Sequence, residues 1–427
     1  MGHEKQRLFA HGACFGCYSA NMRNVIQSLE ESKIREVANA GMLASKQAGM
    51  LGSNQVGTGR TDVLKFWFGE SDEVTADFIR QAAIASLQAG ETFYCHNLGL
   101  PELREAVAAN ATRLHQPITH QITADRVAIT AGGVNALMLA CQILIDAGDE
   151  VVVITPVWPN LTAQPVVMGA VLRSVSLQPT ASGAWQLDMA QLLSAVTSKT
   201  KMLILNAPNN PTGWTLSKAE QQTILQHCRS TGTWILADEV YERLYYAGDT
   251  VNGCAPSFLD ISTPDDKLIV VGSMSKSFLM TGWRTGWLIM PPAMVLHMGK
   301  LIEFNTSCSP VFVQRACVAA FARSDEVTPG VVAHLKTCRD TLVPLLQATP
   351  RVQVQAAPGG MYAFFKLDGF DDSLDVAKRL VAQAGLGLAP GNAFAPEAQG
   401  WLRWCFASKD VGRLEQGVQR LRGWLLA

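Results

Sequence analysis

The segment Ser273-Met274-Ser275-Lys276, followed by Thr281-Gly282-Trp283-Arg284, places one lysine among two hydroxyl groups and an arginine in otherwise apolar surroundings. Burial disfavours the charged form of a lysine, and the neutral amine can then form a Schiff base with a carbonyl. Serine hydroxyls and an arginine suit a phosphate. The segment therefore indicates a ligand that combines a carbonyl with a phosphate, as pyridoxal phosphate does. A surface lysine in a capped turn after a strand has the same short pattern.

The composition bounds the class of protein. With 427 residues, the chain fits two domains, or one large domain with a smaller one. Hydrophobic residues at 48% and charged residues at 17% are typical of a globular protein with a large interior. The net charge of -1 gives no reason to expect nucleic acid or an anionic membrane as a partner. No apolar run reaches the roughly 18–20 residues that span a bilayer.

The cysteines and the N-terminal residues favour the cytoplasm. The ten cysteines are scattered through apolar segments, which is typical of reduced thiols in a protein core. Cys14 and Cys17 form a lone C-x-x-C without a second pair, so we expect no metal site. Residues 8–20 loosely resemble an export signal, but His11 interrupts them and no small-residue cleavage site follows.

Short β-branched runs alternate with helical stretches between residues 76 and 320, and this alternation predicts a mostly parallel sheet wrapped by helices. Ligands of such sheets bind at the carboxyl ends of the strands, where most of the polar motifs below fall. The predicted strands are Arg126–Thr130, Glu150–Thr155, Met202–Asn206, Thr233–Asp238, Leu268–Gly272 and Thr285–Met290.

The flanking regions predict a smaller α+β domain built from both ends of the chain. Residues 32–48 have helical spacing, a glycine-rich break follows at 49–59, and Val63–Phe68 is typical of a strand. Long helices follow residue 307, with a β-like stretch at Val352–Lys366. The predicted division is an N-terminal arm at 1–31, the first part of the small domain at 32–75, the large domain at 76–320, and the rest of the small domain at 321–427.

Two turns that follow strands carry candidate binding groups. Gly132 and Gly133 open a helix, where backbone N–H groups and the helix dipole favour an anion, although plain turn chemistry explains the glycines as well. The rigid turn Asn210-Pro211-Thr212-Gly213 can direct an amide into a cleft. The alternative is a helix cap, with a threonine or serine starting the helix near Ser217.

Three polar side chains stand in or beside apolar runs. Asp238 follows a buried strand and needs a partner, which a protonated pyridine nitrogen would supply. Tyr241, three residues later, can hydrogen-bond a phenolic oxygen on the same ring, while a helix cap is the alternative for Asp238. Arg403 lies within Leu402–Phe406, and its planar fork suits either an internal carboxylate or the α-carboxylate of a substrate.

In this order the motifs resemble the class I/II subgroup of the fold-type I aminotransferases, from about Ser32 to the C-terminus. The resemblance implies an α/β fold, with a mostly parallel seven-stranded sheet wrapped by helices and a smaller α+β domain. It also implies pyridoxal 5'-phosphate as the cofactor. The matching positions are Tyr94, Gly99 to Arg104, Gly132-Gly133, Trp158, Asn210 to Gly213, Asp238, Tyr241, Ser273 to Lys276, Arg284 and Arg403.

The resemblance also implies roles for these residues. Lys276 would hold the cofactor as a Schiff base and later move a proton at the substrate Cα. Asp238 would keep the pyridine nitrogen protonated. Tyr241 and Asn210 would bind the ring oxygen, and Trp158 would stack on the ring. The phosphate would be held by Gly132, Gly133, Val134, Ser273, Ser275 and Arg284.

Substrate and subunit contacts are implied in the same way. Arg403, Asn210 and the backbone at Gly69 would bind the substrate carboxylate. Tyr94 resembles the tyrosine that reaches a phosphate in the partner subunit, which implies a homodimer with shared active sites. Val134 stands where a polar residue is usual, so a contact there can be made only through the backbone. Residues 1–30 and 49–59 match the family poorly.

The expected reaction moves an amino group from an L-amino acid to a 2-oxo acid in two half-reactions, by a ping-pong mechanism. Aromatic and apolar residues in substrate-side segments favour a neutral or aromatic donor, although domain packing explains them equally well. No arginine is assigned to a distal carboxylate. The alternatives are a lyase or synthase on the same fold, such as a C–S β-lyase, and a non-catalytic ligand sensor. The aromatic and apolar residues that favour a neutral or aromatic donor are Trp67, Phe68, Met361, Tyr362 and Phe394.

Overall fold

A computed structural model describes residues 23–50, 62–117, 121–247 and 252–427, with the backbone alone for 43–50. The chain divides into a segment up to Glu30, which includes a short helix, and one compact unit, Glu31–Ala427. Cys14, Cys17, the export-like stretch and most of the glycine-rich stretch lie outside the described residues. Among the residues described, no helix is long and apolar enough to span a membrane.

Thirteen α-helices and fifteen strands are found in the described ranges. The helices are α1 Asn24–Gln27, α2 Lys33–Met50, α3 Asp77–Gln88, α4 Pro101–His115, α5 Gly133–Leu144, α6 Asn160–Met168, α7 Met189–Ala195, α8 Lys218–Thr231, α9 Pro292–Glu303, α10 Val311–Ala322, α11 Ser324–Gln347, α12 Ser373–Arg379 and α13 Gly412–Leu426. The strands are β1 Leu64–Lys65, β2 Val127–Thr130, β3 Glu150–Thr155, β4 Val171–Ser176, β5 Gln178–Pro179, β6 Trp185–Gln186, β7 Thr200–Asn206, β8 Trp234–Asp238, β9 Leu268–Ser273, β10 Gly286–Ile289, β11 Val352–Gln353, β12 Tyr362–Leu367, β13 Leu386–Gly387, β14 Ala389–Pro390 and β15 Trp401–Cys405.

The central sheet has seven strands in the order β2-β10-β9-β8-β7-β3-β4 and confirms the predicted α/β fold. All neighbours are parallel except β10, which runs antiparallel to both β2 and β9. The six predicted strands are present within two residues of their predicted ends. The seventh, β4, gave no apolar run because it lies at the sheet edge and leaves Val171, Arg173 and Ser174 exposed.

The strand register brings the polar motifs to one edge of this sheet. Gly286 pairs with both Thr130 and Ser273, so the ends of β2 and β9 flank the start of β10. Asn206 pairs with Asp238 at the ends of β7 and β8. Because β2, β7, β8 and β9 all point the same way, their carboxyl ends form one surface, as expected for the ligand side of an α/β sheet.

A second sheet, in the order β11-β12-β15-β14, belongs to a hydrophobic core that combines residues 34–67 with residues 335–421. The division into large and small domains at 75/76 and 320/321 stays a prediction. The strand predicted at Val63–Phe68 is only the two-residue β1, which pairs with β13. It is short because the carbonyl groups after Lys65 bond other partners: the Phe66 carbonyl oxygen accepts from the Cys405 N–H at 3.1 Å, and the Trp67 carbonyl oxygen accepts from Arg403.

Candidate active site

Lys276 lies just beyond the end of β9, with its side chain largely buried. Its Nζ donates a hydrogen bond to the Gly69 carbonyl oxygen at 2.6 Å and lies 5.4 Å from the centre of the Tyr241 ring. Burial lowers the pKa of this amine to about 8, although the charge of Asp238 acts in the opposite direction. A lysine amine that loses its proton this close to neutral pH can act as a nucleophile or a base.

Asp238 ends β8 and is 2% exposed. Burial raises the pKa of its carboxyl to about 7, against the opposing effects of the Val240 N–H and of Lys276. The Val240 N–H, 3.4 Å away, is a long contact for a carboxylate. A buried acid with such weak local support is suited to a cationic partner, and the pyridinium nitrogen of a ring is one.

Asn206 connects Asp238 to the Asn-Pro-Thr-Gly turn. Its Nδ2 donates to the Asp238 carbonyl oxygen at 2.9 Å, and its Oδ1 accepts from the Asn210 N–H at 2.7 Å. Both residues are buried, so these bonds form away from water. Sequence patterns gave no signal for Asn206, because its role depends on the pairing of β7 with β8.

Arg403 is buried at 2% exposure, and its charged plane lies between two aromatic rings. The guanidinium carbon is 4.5 Å from the centre of the Tyr362 ring and 4.9 Å from that of Phe394. Its Nη1 donates to Asn210 Oδ1 at 2.9 Å, and its Nη2 donates to the Trp67 carbonyl oxygen. Its Nε has no hydrogen-bond partner among the described residues. None of these contacts is with a carboxylate, so the guanidinium can bind the carboxylate of a substrate.

Tyr241, which follows β8 of the central sheet, and Tyr362, which begins β12 of the second sheet, are joined by a hydrogen bond between their hydroxyls at 2.6 Å. Both are buried, and burial raises both phenol pKa values, so both hydroxyls are protonated at neutral pH. The Tyr362 hydroxyl also touches Gly69, where an added Cβ would lie 2.1 Å from it. Gly69 is therefore required by close packing against this hydroxyl.

The ends of β2 and β9 form a cradle suited to a phosphate. Gly132 has φ +88° and directly precedes α5 at its N-cap position. No side chain of the described residues caps this helix N-terminus. A Cβ added to Gly132 would lie 2.5 Å from Arg284 Nη2, so this glycine lets the guanidinium approach the helix start. Free N–H groups of the first helical turn and an adjacent arginine bind anions. Ser273 lies beside them, and the Ser275 N–H donates to its Oγ at 3.1 Å.

The remaining predicted residues lie in different surroundings. Val134 lies in the first turn of α5, and Trp158 is half-buried in the turn after β3. Tyr94 is 88% exposed, so its side chain is not enclosed by the site described here. Trp67 and Met361 are each 2% exposed, which agrees with the domain-packing alternative for these two residues. The Trp67 ring occupies the space over Gly41 and Gly387, which lack side chains.

The turn after Asp238 has a second, opposite face that is rich in acids. Glu239 accepts from Ser257 Oγ at 2.5 Å and from the Phe258 N–H at 3.1 Å. Glu242 lies 2.9 Å from His115 Nε2, and Asp260 lies 3.2 Å from His115 Nδ1. Asp238 and Tyr241 thus face the site, while the residues that directly follow each of them face away and anchor the turn.

Taken together, these groups fit pyridoxal phosphate. The cradle at Gly132 and Arg284 matches a phosphate, Lys276 matches an aldehyde carbon, and buried Asp238 matches a pyridinium nitrogen. The fit rests on two features of the chain itself, the glycine that makes room for a guanidinium and the buried acid without a strong partner. The roles of the individual residues stay predictions.

Comparison with known proteins identifies the family. The family model for aminotransferase class I and II matches residues 61–421. The aspartate aminotransferase of Thermotoga maritima is 30% identical over 364 residues, covering 85% of this chain and 92% of that protein. An arginine–pyruvate transaminase of Pseudomonas aeruginosa is 30% identical over 344 residues, covering 80% and 85%. A crystal structure of aspartate aminotransferase from Thermotoga maritima superimposes with a TM-score of 0.84 at 28% identity, covering 95% of this chain and 100% of that one.

The matched region includes Lys276, Asp238, the glycine turn at Gly132 with Arg284, and the buried Arg403 described above. The family uses pyridoxal 5'-phosphate and transfers amino groups between amino acids and oxo acids. On this evidence the chain belongs to the class I and II aminotransferases and is a pyridoxal-phosphate-dependent transaminase of fold type I.

Proposed function

We propose that this transaminase uses a neutral or aromatic L-amino acid as donor and a 2-oxo acid as acceptor, in two half-reactions of a ping-pong cycle. The aromatic surroundings of Arg403 carry the proposal. Tyr362 and Phe394 lie on its guanidinium, and Phe364 packs edge-on against Phe394 with ring centres 6.0 Å apart. An ionised substrate side chain would lose its hydration among these rings, whereas an apolar one would gain contacts.

A second candidate, an acidic donor, is favoured by one cation outside the site's core. The Arg35 guanidinium carbon lies 5.8 Å from the centre of the Phe68 ring, and Phe68 directly precedes Gly69. Arg35 is exposed and therefore has the freedom to meet a distal carboxylate. The matching relatives are named as an aspartate aminotransferase and an arginine–pyruvate transaminase, and the donor panel below distinguishes the two candidates for this chain.

We assign the binding steps to three groups. Arg403 and Asn210 would take the substrate α-carboxylate, because the Arg403 fork can give a second pair of bonds beyond those it makes within the chain. Gly132, Gly133, Val134, Ser273, Ser275 and Arg284 would hold the phosphate. Tyr241 and Asn210 would bind the ring oxygen, and Trp158 would cover the ring face.

We assign proton transfer to Lys276. Bound pyridoxal phosphate supplies an electron-accepting ring that stabilises negative charge at the amino acid's Cα. The amine of Lys276, with its pKa lowered to about 8, would take the proton from the substrate Cα and deliver it to C4′ of the cofactor. Asp238 would keep the ring nitrogen protonated. In a buried site that positive charge is stable only with a negative charge beside it, and the Asp238 carboxylate would supply one.

A homodimer accounts for an exposed aromatic patch, defined here as Phe93, Tyr94 and Phe304. Their side chains are 83%, 88% and 90% exposed, which is unusual for aromatic residues. The two segments that carry these rings are joined by a hydrogen bond, since Asn97 Nδ2 donates to the Gly299 carbonyl oxygen in α9, the helix that ends just before Phe304, at 3.4 Å. A second copy would cover these rings and receive Tyr94 at its phosphate site.

A cytoplasmic location is proposed from the reduced, buried thiols of Cys141, Cys228 and Cys317.

The test of the lysine assignment is Lys276→Ala. We expect the variant to bind pyridoxal phosphate without the absorbance band of the lysine-bound cofactor and to lose turnover. The control is Lys267→Ala, which removes a surface lysine whose Nζ donates to the Gly232 carbonyl oxygen at 2.8 Å, away from the site. A variant with an unchanged spectrum would sink the assignment of Lys276.

A donor panel tests the substrate. Wild-type protein is incubated with each amino acid, without an oxo acid, and the cofactor absorbance is followed. Stoichiometric conversion to pyridoxamine phosphate identifies transamination, whereas continuous release of pyruvate and ammonia would identify a lyase. Fastest conversion by aspartate or glutamate, lost in Arg35→Ala, would favour the acidic donor over the neutral one.

A further inference from the structure

We propose that Tyr362 is a positioning residue whose hydroxyl donates to Tyr241 and so directs the Tyr241 proton towards the ring oxygen of the cofactor. This inference rests on the proposed role of Tyr241. It gives Tyr362, which the sequence offered only as a substrate-side or packing residue, a role beside Tyr241 that no local motif predicts, because the two tyrosines are 121 residues apart in the chain.

The geometry holds the two hydroxyls together from both sides. They are 2.6 Å apart, and the rings meet edge to face, with centres 5.8 Å apart and planes at 75°. Tyr362 is 1% exposed and lies in β12, paired with Cys405 of β15. The Arg403 guanidinium covers its ring, and Gly69 leaves room for its hydroxyl. The ring is therefore fixed on three sides, and the hydroxyl has one protein partner in hydrogen-bond range among the described residues.

Proton counting then sets the direction of the bond. Each phenol has one proton, and both stay protonated at neutral pH because burial raises both pKa values. If Tyr241 gives its proton to the ring oxygen, it has none left for Tyr362. The bond between the tyrosines can then run only from Tyr362 to Tyr241. A hydroxyl that accepts a bond becomes a stronger donor, so Tyr362 reinforces the contact of Tyr241 with the cofactor.

The effect is measurable without turnover. A donor to the ring oxygen stabilises negative charge there, so weakening that donor makes the bound chromophore hold its proton to higher pH. We expect Tyr362→Phe to raise the pH midpoint of the absorbance titration by about 0.2–0.6 pH unit, the size of a neighbouring-bond effect. Tyr241→Phe, which removes the bond itself, should raise the midpoint by about 1–2 pH units.

A double-mutant cycle tests whether Tyr362 acts through Tyr241. In the Tyr241→Phe background, Tyr362→Phe should give no further shift of the midpoint. The matched control is Tyr246→Phe, which removes a half-buried phenol hydroxyl that donates to the Gly360 carbonyl oxygen at 2.8 Å, outside the site. This control should lower the thermal unfolding temperature but leave the titration midpoint at the wild-type value.

Three outcomes overturn the proposal. An unshifted midpoint in Tyr362→Phe, with the cofactor bound, contradicts it directly. A shift that persists in the Tyr241→Phe background means that Tyr362 acts on the cofactor itself. A raised KM for the amino acid with an unshifted midpoint means that the hydroxyl serves the substrate carboxylate beside Gly69. In all three cases the wild-type protein still binds and titrates pyridoxal phosphate, whereas failure of the wild type to do so would contradict the proposed function instead.

Discussion

Replacing Arg403 by lysine tests the carboxylate site, because the charge is kept and the planar fork is lost. Arg403 already spends one bond on Asn210 Oδ1 and one on the Trp67 carbonyl, which leaves its remaining N–H groups for a substrate. A hydrogen bond to a charged group contributes about 1.5–3 kcal/mol. Loss of one such bond should lower kcat/KM for an amino acid by roughly 10- to 150-fold, at about 1.36 kcal/mol per factor of ten.

The assay is the single-turnover conversion of the bound cofactor, measured with L-phenylalanine and with phenethylamine, which lacks the carboxylate. Arg403→Lys should slow the reaction of phenylalanine and leave that of phenethylamine within about twofold, since only phenylalanine offers the lost contact. The control is Arg339→Lys, because Arg339 also lies on a tyrosine ring, 4.6 Å from the centre of Tyr246, but outside the site. An equal loss for both substrates would refute the assignment, since it would mean a distorted site.

Two further predictions concern the turn after β8. Asp238→Asn should slow single-turnover conversion by about 10²–10⁴-fold, since removing one partner of a buried pair costs about 3–5 kcal/mol. Asp238→Glu, which keeps the charge, should retain more activity, and equal rates for the two variants would argue against a charge-based role. Burial would lower the pKa of His115, but the neighbouring Asp260, Cys254 and Glu242 side chains raise it well above 6.5. Protonated His115 therefore stabilises the fold below about pH 6.5, and this contribution is lost as the pH rises through the folded-state pKa. Burial raises the pKa of Glu239 from 4.5 to about 8, so the folded chain holds this proton more tightly than the unfolded chain does. The free energy of unfolding therefore also falls at Glu239 as the pH rises from about 4.5 to about 8. The free energy of unfolding should fall less steeply with pH in His115→Gln, and an unchanged slope would contradict this.

The strand pattern and the cofactor motifs could be predicted from local sequence. Buried parallel strands are continuous apolar runs, so β3 was predicted with its observed ends, Glu150–Thr155. The edge strand β4 could not be found in this way, because solvent on one side permits polar residues. Val63–Phe68 was overpredicted as a strand, because apolar character does not reveal that a backbone carbonyl will face an arginine 336 residues away.

The sequence by itself determined which chemical groups the protein has: an apolar-flanked lysine, a strand-terminal acid, glycines before a helix, and an arginine in an apolar run. These are local signals, because burial and turn geometry are written into neighbouring residues. Only the tertiary structure decided which groups meet. It brought Tyr362 to Tyr241, Asn206 to Asp238 and Arg403 to Asn210, and it turned Trp67 into the core. Those contacts depend on strand order and register, which arise from long-range packing that no short stretch of sequence encodes.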